Sequence, residues 1–315
     1  MNVNTAIATT ATAENYRGRF APSPSGFLHL GSLLAATGSY LQARAHGGSW
    51  LVRIEDLDAP RMIPGAADQI LRTLEHFGFE WDGPVTRQSD RLDLYRSALD
   101  RLTEAGLVYP CSCTRQELAS HHSADPAEEN EDCFYPGTCR AGPRRADAPH
   151  ALRFRAAPGK VEFTDVLQGA YRQNVATTVG DFVVRRKDGL YAYQLAVVVD
   201  DGEQGITEVV RGCDLLSNTP RQILLRKALD LSLPRHLHLP LLVEADGRKL
   251  AKSRRSVPVA GSDATAQLHT ALVQLRQQPP AELARGHVQG LMTWAIAHWN
   301  PGPMAGLREI RVEAV

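Results

Sequence analysis

The stretch RGRFAPSPSGFLHLGSLLAATGSYLQARA, starting at Arg17, limits the fold more than any other part of the chain. RGRFA reads as a short strand and PSPSG as a turn cluster. The remainder carries apolar residues at helical spacing. SWLVRIEDLD follows as a second strand ending in acids. GAADQILRTLEHFGF and RLDLYRSALDRLTEAGL read as amphipathic helices. Strand, helix, strand, helix in that order implies an α/β fold with a doubly wound parallel sheet. Residues 151–190 alternate in the manner of antiparallel strands, and AYQLAVVVDD then reads as a buried parallel-type strand with acids at its C-terminal end. TPRQILLRKALDLSL is helical, and LPLLVEADGRKLAKS ends in a basic loop. Helices are expected near 262–278 and, after a PP break, near 281–298. The expected organisation is one α/β domain split by an insertion and followed by a short helical region.

The length of 315 residues suits about two domains at ~150 residues each. Hydrophobic residues at 43% and charged residues at 22% fit a globular chain and exclude a disordered, collagenous or fibrous one. Thirty-five Lys and Arg balance thirty-five Asp and Glu, which argues against a globally basic nucleic-acid coat but leaves room for a local basic face. No apolar run approaches the ~20 residues that span a bilayer. Residues 1–15 lack a basic start and a long apolar centre, so they read as a disordered tail rather than a secretory signal. A cytoplasmic protein with no membrane partner is expected.

Five cysteines, an odd number, argue against a disulfide framework. Four of them, Cys111, Cys113, Cys133 and Cys139, fall within one short stretch. Zinc takes tetrahedral thiolate and imidazole ligands, and a C-x-C pair supplies two from one turn. Cys133, Tyr135, Cys139 and the His121–His122 pair are the candidates for the other two. The alternative is a set of free thiols in a small satellite core. Cys213 sits beside an apolar run and reads as a buried, inert thiol.

Two segments suit phosphate chemistry. PSPSGFLHLGS places His29, Gly31 and Ser32 where a strand-to-helix junction offers backbone N–H groups to an anion. Arg248–Arg255 holds five cations, Lys249 and Lys252 among them, and suits a polyphosphate. Alone, the first is an ordinary turn and the second a solvated loop. Neither is a P-loop.

Together and in this order, HLGS and KLAKS resemble the HIGH and KMSKS signatures of class I aminoacyl-tRNA synthetases. RFAPSPSGFLHLGS, LVRIEDLDAPR, YAYQLAVVVDD and VVRGCDL resemble the glutamyl branch. The similarity runs from about Arg17 to Ser253. Ser32 replaces the second histidine of HIGH, and KLAKS keeps both lysines of its signature. The resemblance implies a Rossmann-type parallel sheet split by an insertion with a zinc site. Its divisions are residues 16–109 and 191–256 for the catalytic halves, 110–190 for the insertion and 257–315 for a helical stem.

Only 62 residues follow Ser253, short for an anticodon-binding domain of ~100 residues. With the C-S-C…Y-x-x-x-C cluster, this resembles the family of glutamyl-queuosine tRNA(Asp) synthetases, which attach glutamate to the wobble base of tRNA(Asp). That family implies one structural zinc per chain on Cys111, Cys113, Tyr135 and Cys139, with Cys133 spare or competing. It implies ATP, with Mg²⁺, against His29, Gly31, Ser32 and Lys252, and catalytic roles for His29, Lys249 and Lys252. It implies L-glutamate against Arg19, Phe20, Ala21, Pro22, Ser23, Glu55, Tyr193 and Arg211. Each Arg or Glu taken alone also reads as a structural salt bridge. Asp56 and Asp58 read as a metal pair or as loop-capping acids. The clusters Arg140/Arg144/Arg145, Arg185/Arg186/Lys187 and Arg248–Arg255 are candidate phosphate contacts or solvated faces. A monomer is expected, with the queuosine-bearing anticodon loop as its RNA partner. The rival readings are a short glutamyl-tRNA synthetase charging a 3′ end, another nucleotidyltransferase with the same His signature, and a non-catalytic RNA-binding paralogue.

Overall fold

The protein is described by a computed structural model covering residues 16–119, 134–244, 259 and 263–311. In chain order the elements begin β1 (Arg17–Phe20), α1 (Leu30–Ala45), β2 (Ser49–Ile54), α2 (Ala66–His76), β3 (Thr86–Arg87) and α3 (Leu92–Glu104). There follow β4 (Val108–Cys111), α4 (Arg115–Ala119), β5 (Ala151–Phe154), β6 (Val161–Asp165), β7 (Gly169–Gln173), α5 (Val175–Thr178) and β8 (Phe182–Arg185). The rest are α6 (Tyr193–Glu203), β9 (Glu208–Gly212), α7 (Thr219–Ala228), β10 (Arg235–Leu239), β11 (Leu241–Val243), α8 (Ala264–Gln274), α9 (Val288–His298) and β12 (Glu309–Arg311).

The strand–helix alternation produces the expected parallel sheet. β1 pairs in parallel with β2, and β2 with β3. β10 pairs in parallel with β9 and β6. The amide of Thr207, just before β9, donates to the carbonyl of Arg17 at 3.0 Å, which joins the two sets of strands. Among the described residues the antiparallel strand pairs are β4–β5, β5–β8 and β6–β7. β5 to β8 lie in the region whose alternation predicted it, and β4 lies outside that region. β6 and β7 fall within residues 110–190, yet through β10 they extend the parallel sheet.

α1 is buried along most of its length, so it shows no clean amphipathic stripe. It lies close on the sheet because Gly38 has no side chain. A Cβ there would sit 2.5 Å from a Leu239 methyl. α8 packs on α1, and β12 pairs in parallel with β11. Residues 264–311 therefore belong to the same body as the sheet.

One element is corrected. AYQLAVVVDD is the helix α6, not a strand. Residues 194–201 are all buried, so the run has no polar face to give a helical period. A short apolar run of that kind does not distinguish helix from strand, and its three valines favoured the wrong reading. The true stop signal lies beyond the run at Gly205, with φ of +64°.

β10 carries two buried histidines. Burial pulls His236 well below the usual 6.5, and brings His238 down to about 4. Unfolded chains protonate both near 6.5, so between there and about 4 the unfolded state binds more protons. Stability is fully present above 6.5 and falls as pH drops, by up to about 3 kcal/mol from His238 alone. Urea midpoints measured along a pH series should fall through this window, and the fall should shrink in His236→Gln and His238→Gln.

Candidate active site

The carboxyl ends of β1, β2, β9 and β10 meet the N-terminus of α1 around a cavity of about 620 Å³. Open α/β sheets place their ligands in this position. Arg19, Phe20, Ala21, Pro22, Ser23, Glu55, Tyr193 and Arg211 all line it, and so do His29, Gly31 and Ser32. The two expected groups, amino-acid side and phosphate side, therefore share one cleft. Lys249 and Lys252 lie outside the described residues.

His29 is the N-cap of α1. Its Nδ1 accepts from the Ser32 amide at 3.3 Å, and its Nε2 lies 3.2 Å from the Ser32 hydroxyl. The small residue at position 32 thus contacts the signature histidine directly. Gly31 lies in the first turn of α1 and lines the cleft.

A buried ion network underlies the opposite wall. Arg19 Nε donates to Asp201 at 3.1 Å, and Arg53 lies 2.8 Å from Asp201 and 3.3 Å from Glu55. Burial alone would raise Asp201, but Arg19, Arg53 and Arg226 together hold it far below the usual carboxylate range. Burial pushes Glu55 up, against the pull of Arg53 and Arg19. Arg211 donates to His238 Nε2 at 3.0 Å, Thr219 Oγ1 at 2.9 Å, the Leu215 carbonyl at 3.2 Å and the Tyr193 hydroxyl at 3.4 Å. Burial draws its pKa below the ordinary guanidinium value.

Sequence reasoning missed Asp201 and Arg53, and it missed the pair formed by His238 and Asp165, whose Nδ1 and Oδ2 lie 2.6 Å apart. The available signals were an arginine inside the apolar strand WLVRI and the alternation RHLHL, which puts a histidine among apolar neighbours.

The cysteine cluster forms a separate site. Cys111, Cys113 and Cys139 are buried, with their sulfurs all within 4.8 Å of one another. Cys113 and Cys139 are 3.6 Å apart, and Tyr135 Oη is 3.4 Å from Cys111 Sγ. Tetrahedral zinc–thiolate bonds of ~2.3 Å place sulfurs just under ~4 Å apart, so this donor set fits zinc. Burial raises the Cys139 thiol, but backbone amides of Arg144 and Ser112, with hydrogen bonds from Cys113 and Tyr135, outweigh it and bring it down to about 6. Burial pushes Cys113 up to about 12. Gly180, with φ of +77°, permits the approach of Tyr135, since a Cβ there would lie 2.0 Å from the Tyr135 carbonyl. Cys133 and the His121–His122 pair lie outside the described residues. Cys213 is half-buried, and burial pushes its thiol up to about 11.

Several cations from the sequence clusters are tied into the fold. Arg140 chelates Asp181 at 2.6 and 2.7 Å, Arg145 pairs with Glu117 at 2.8 Å, and Arg186 pairs with Asp58 and Asp188. Lys187 donates to the Ser112 carbonyl. Asp56 accepts from the amide and hydroxyl of Ser89 and so caps that loop, whereas Asp58 accepts from the Arg61 and Arg186 side chains as an ion-pair partner. Among the described residues no helix is long and apolar enough to cross a membrane.

The family described as class I tRNA synthetases (E and Q), catalytic domain, matches residues 15–275. A glutamyl-Q tRNA(Asp) synthetase from Pseudomonas aeruginosa is 53% identical over 287 residues, 91% of this chain and 94% of that protein. Its counterpart from Dechloromonas aromatica is 54% identical over 285 residues, 90% and 94% of the two chains. A glutamate tRNA ligase from Elizabethkingia meningosepticum, solved in complex with its amino acid, superposes with a TM-score of 0.76 at 25% identity. It covers 94% of this chain and 67% of its own. Sheet, cleft and sequence agree, and the chain belongs to the class I tRNA synthetases of the E and Q type, within the glutamyl-Q tRNA(Asp) synthetases.

Proposed function

We propose that the protein activates L-glutamate with ATP and transfers it to the queuosine base of tRNA(Asp). The observation that carries this reading is the single cleft that gathers the amino-acid residues and the phosphate residues at the strand ends. In this reading residues 16–109 and 191–256 supply the catalytic halves. Residues 110–190 insert between them and carry the metal cluster, and 257–315 form the stem.

Glu55 receives the ammonium group of glutamate, while Arg211 and Arg19 face its carboxylates. Arg19 already holds Asp201, so Arg211 is the guanidinium with charge to spare for the side-chain carboxylate. Tyr193 adds its phenol beside Arg211. The α-carboxylate attacks the α-phosphorus of ATP, and pyrophosphate leaves. His29 and the α1 N-terminus lie on the phosphate side, and Lys252 with Lys249 offsets charge on the leaving group. Mg²⁺ arrives with ATP. A hydroxyl of the queuosine cyclopentenediol then attacks the acyl carbonyl and AMP leaves. For this the anticodon loop enters the cleft with its base unstacked. Zinc on Cys111, Cys113, Tyr135 and Cys139 would fix the fold of the insertion.

Purified queuosine-bearing tRNA(Asp) should accept labelled glutamate, and periodate treatment of its cis-diol should abolish this. Labelling of unmodified tRNA(Glu) instead would overturn the reading. Lys252→Ala should slow glutamate-dependent ATP–pyrophosphate exchange ~10²–10³-fold. An unchanged exchange rate removes Lys252 from the mechanism. Metal analysis should find one zinc per chain, lost in Cys113→Ser and in Tyr135→Phe but kept in Cys133→Ser. Retention in Tyr135→Phe with loss in Cys133→Ser would exchange the fourth ligand.

A further inference from the structure

We infer that His238, held by Asp165, is a positioning residue for Arg211: it aims the guanidinium into the cleft through a neutral acceptor, leaves its charge intact, and so favours glutamate over glutamine. The inference rests on the reading that Arg211 faces a carboxylate of the amino acid.

Arg211 is 6% exposed and borders the cavity. Its hydrogen-bond acceptors are an imidazole nitrogen, a threonine hydroxyl, a backbone carbonyl and a phenol, none of them charged. Among the described residues no carboxylate forms an ion pair with it. The neighbouring buried guanidiniums differ. Arg19, Arg53 and Arg226 all pair with Asp201. Buried charges are ordinarily compensated, and a buried cation left without a counter-ion at a cavity wall favours an anionic ligand. A carboxylate acceptor in the place of the imidazole would cancel the charge of Arg211.

The neutral acceptor requires one tautomer. Asp165 Oδ2 accepts from His238 Nδ1 at 2.6 Å. Asp165 Oδ1 accepts from the backbone amides of Leu167 at 3.0 Å, Gln168 at 2.9 Å and His238 at 3.2 Å. The carboxylate is thus fixed by four contacts and places the imidazole proton on Nδ1. The lone pair on Nε2 then faces the Nε–H of Arg211. The groups around the ring are Asp165 from β6, Arg211 from β9 and the Thr219 hydroxyl from α7. The His236 ring lies parallel at 6.1 Å on the same strand, and Asp214 acts through its charge. Protonation of Nε2 would set a donor against the Arg211 donor.

Glutamate and glutamine are compared in ATP–pyrophosphate exchange for the wild type, Arg211→Lys, His238→Phe, His238→Gln and Asp165→Asn, with melting temperatures alongside. His238→Phe removes the acceptor and should raise the KM for glutamate ~10–100-fold, the size expected for a hydrogen bond to a charged group. The KM for ATP should move less than ~2-fold, because loss of uniform amino-acid binding appears in that substrate alone. His238→Gln offers an amide oxygen to Arg211 and an amide N–H to Asp165, and should recover most of the lost affinity. Asp165→Asn touches no ligand and keeps its volume. Its oxygen stays with the three backbone amides, so its NH₂ meets Nδ1 and forces the proton onto Nε2. It should therefore weaken glutamate as His238→Phe does. Arg211→Lys tests the underlying reading. A raised glutamate KM in Arg211→Lys with an unmoved one in both Asp165→Asn and His238→Phe overturns the positioning role alone. An unmoved KM in Arg211→Lys overturns the reading of Arg211 itself. Parallel losses for glutamate and ATP, tracking the melting temperature and not recovered by His238→Gln, would reduce His238 to a structural residue.

Discussion

Arg53 is fully buried in β2, and the geometry of the cleft depends on how its charge is met. Asp201 lies 2.8 Å away, Glu55 3.3 Å and Asp200 3.5 Å, while the Gln204 side chain accepts at 2.6 Å. Removing one partner from such a buried group costs roughly 3–5 kcal/mol, because the remaining charge stays desolvated. The network therefore locks β2 against α6 and, through Arg19 and Arg226, against β1 and α7. Glu55 and Arg19, which line the cleft, are held by the same contacts that stabilise the fold.

The helical form of α6 makes this possible. Adjacent residues on a helix diverge by about 100°, so Asp200 and Asp201 serve two neighbouring sets of partners. Asp200 accepts from Tyr95, Gln88 and Arg91, on and beside α3. Asp201 turns to Arg19, Arg53 and Arg226. A strand would have sent the two acids to opposite faces. The strand reading of AYQLAVVVDD thus missed more than a label, since it left both acids at a strand tip with no guanidiniums to meet.

What was legible in the sequence was local. β1, α1 and β2 follow from periodicity and turn residues within one short stretch, and the same stretch carries RFAPS and HLGS. The C-x-C pair and Cys139 were legible because tight turns bring close neighbours together. Pairings that depend on distant strands were not. Nothing near Arg211 in sequence announces His238, and nothing near His238 announces Asp165, which reaches it only because β6 and β10 lie side by side. Tyr135 was a candidate from its spacing and a ligand only through the resemblance, and its place beside Cys111 depends on Gly180, far along the chain. The paired basic clusters have the same cause. Arg140 looked free in sequence because its partner Asp181 arrives from another strand pair.

The cleft is walled by two groups of opposite sign: Glu55, which pairs with Arg53, and Arg211, which among the described residues has no carboxylate partner. Burial raises the Glu55 carboxyl, against the pull of Arg53 and Arg19, and lowers the Arg211 guanidinium. In the proposed reading the ammonium of the amino acid meets Glu55 and its side-chain carboxylate meets Arg211. In that reading a neutral amide in place of the carboxylate would leave Arg211 desolvated beside a weak acceptor. Under the proposed role of Arg211, selectivity for an acidic amino acid would rest on a guanidinium whose hydrogen-bond acceptors are all neutral, His238 among them.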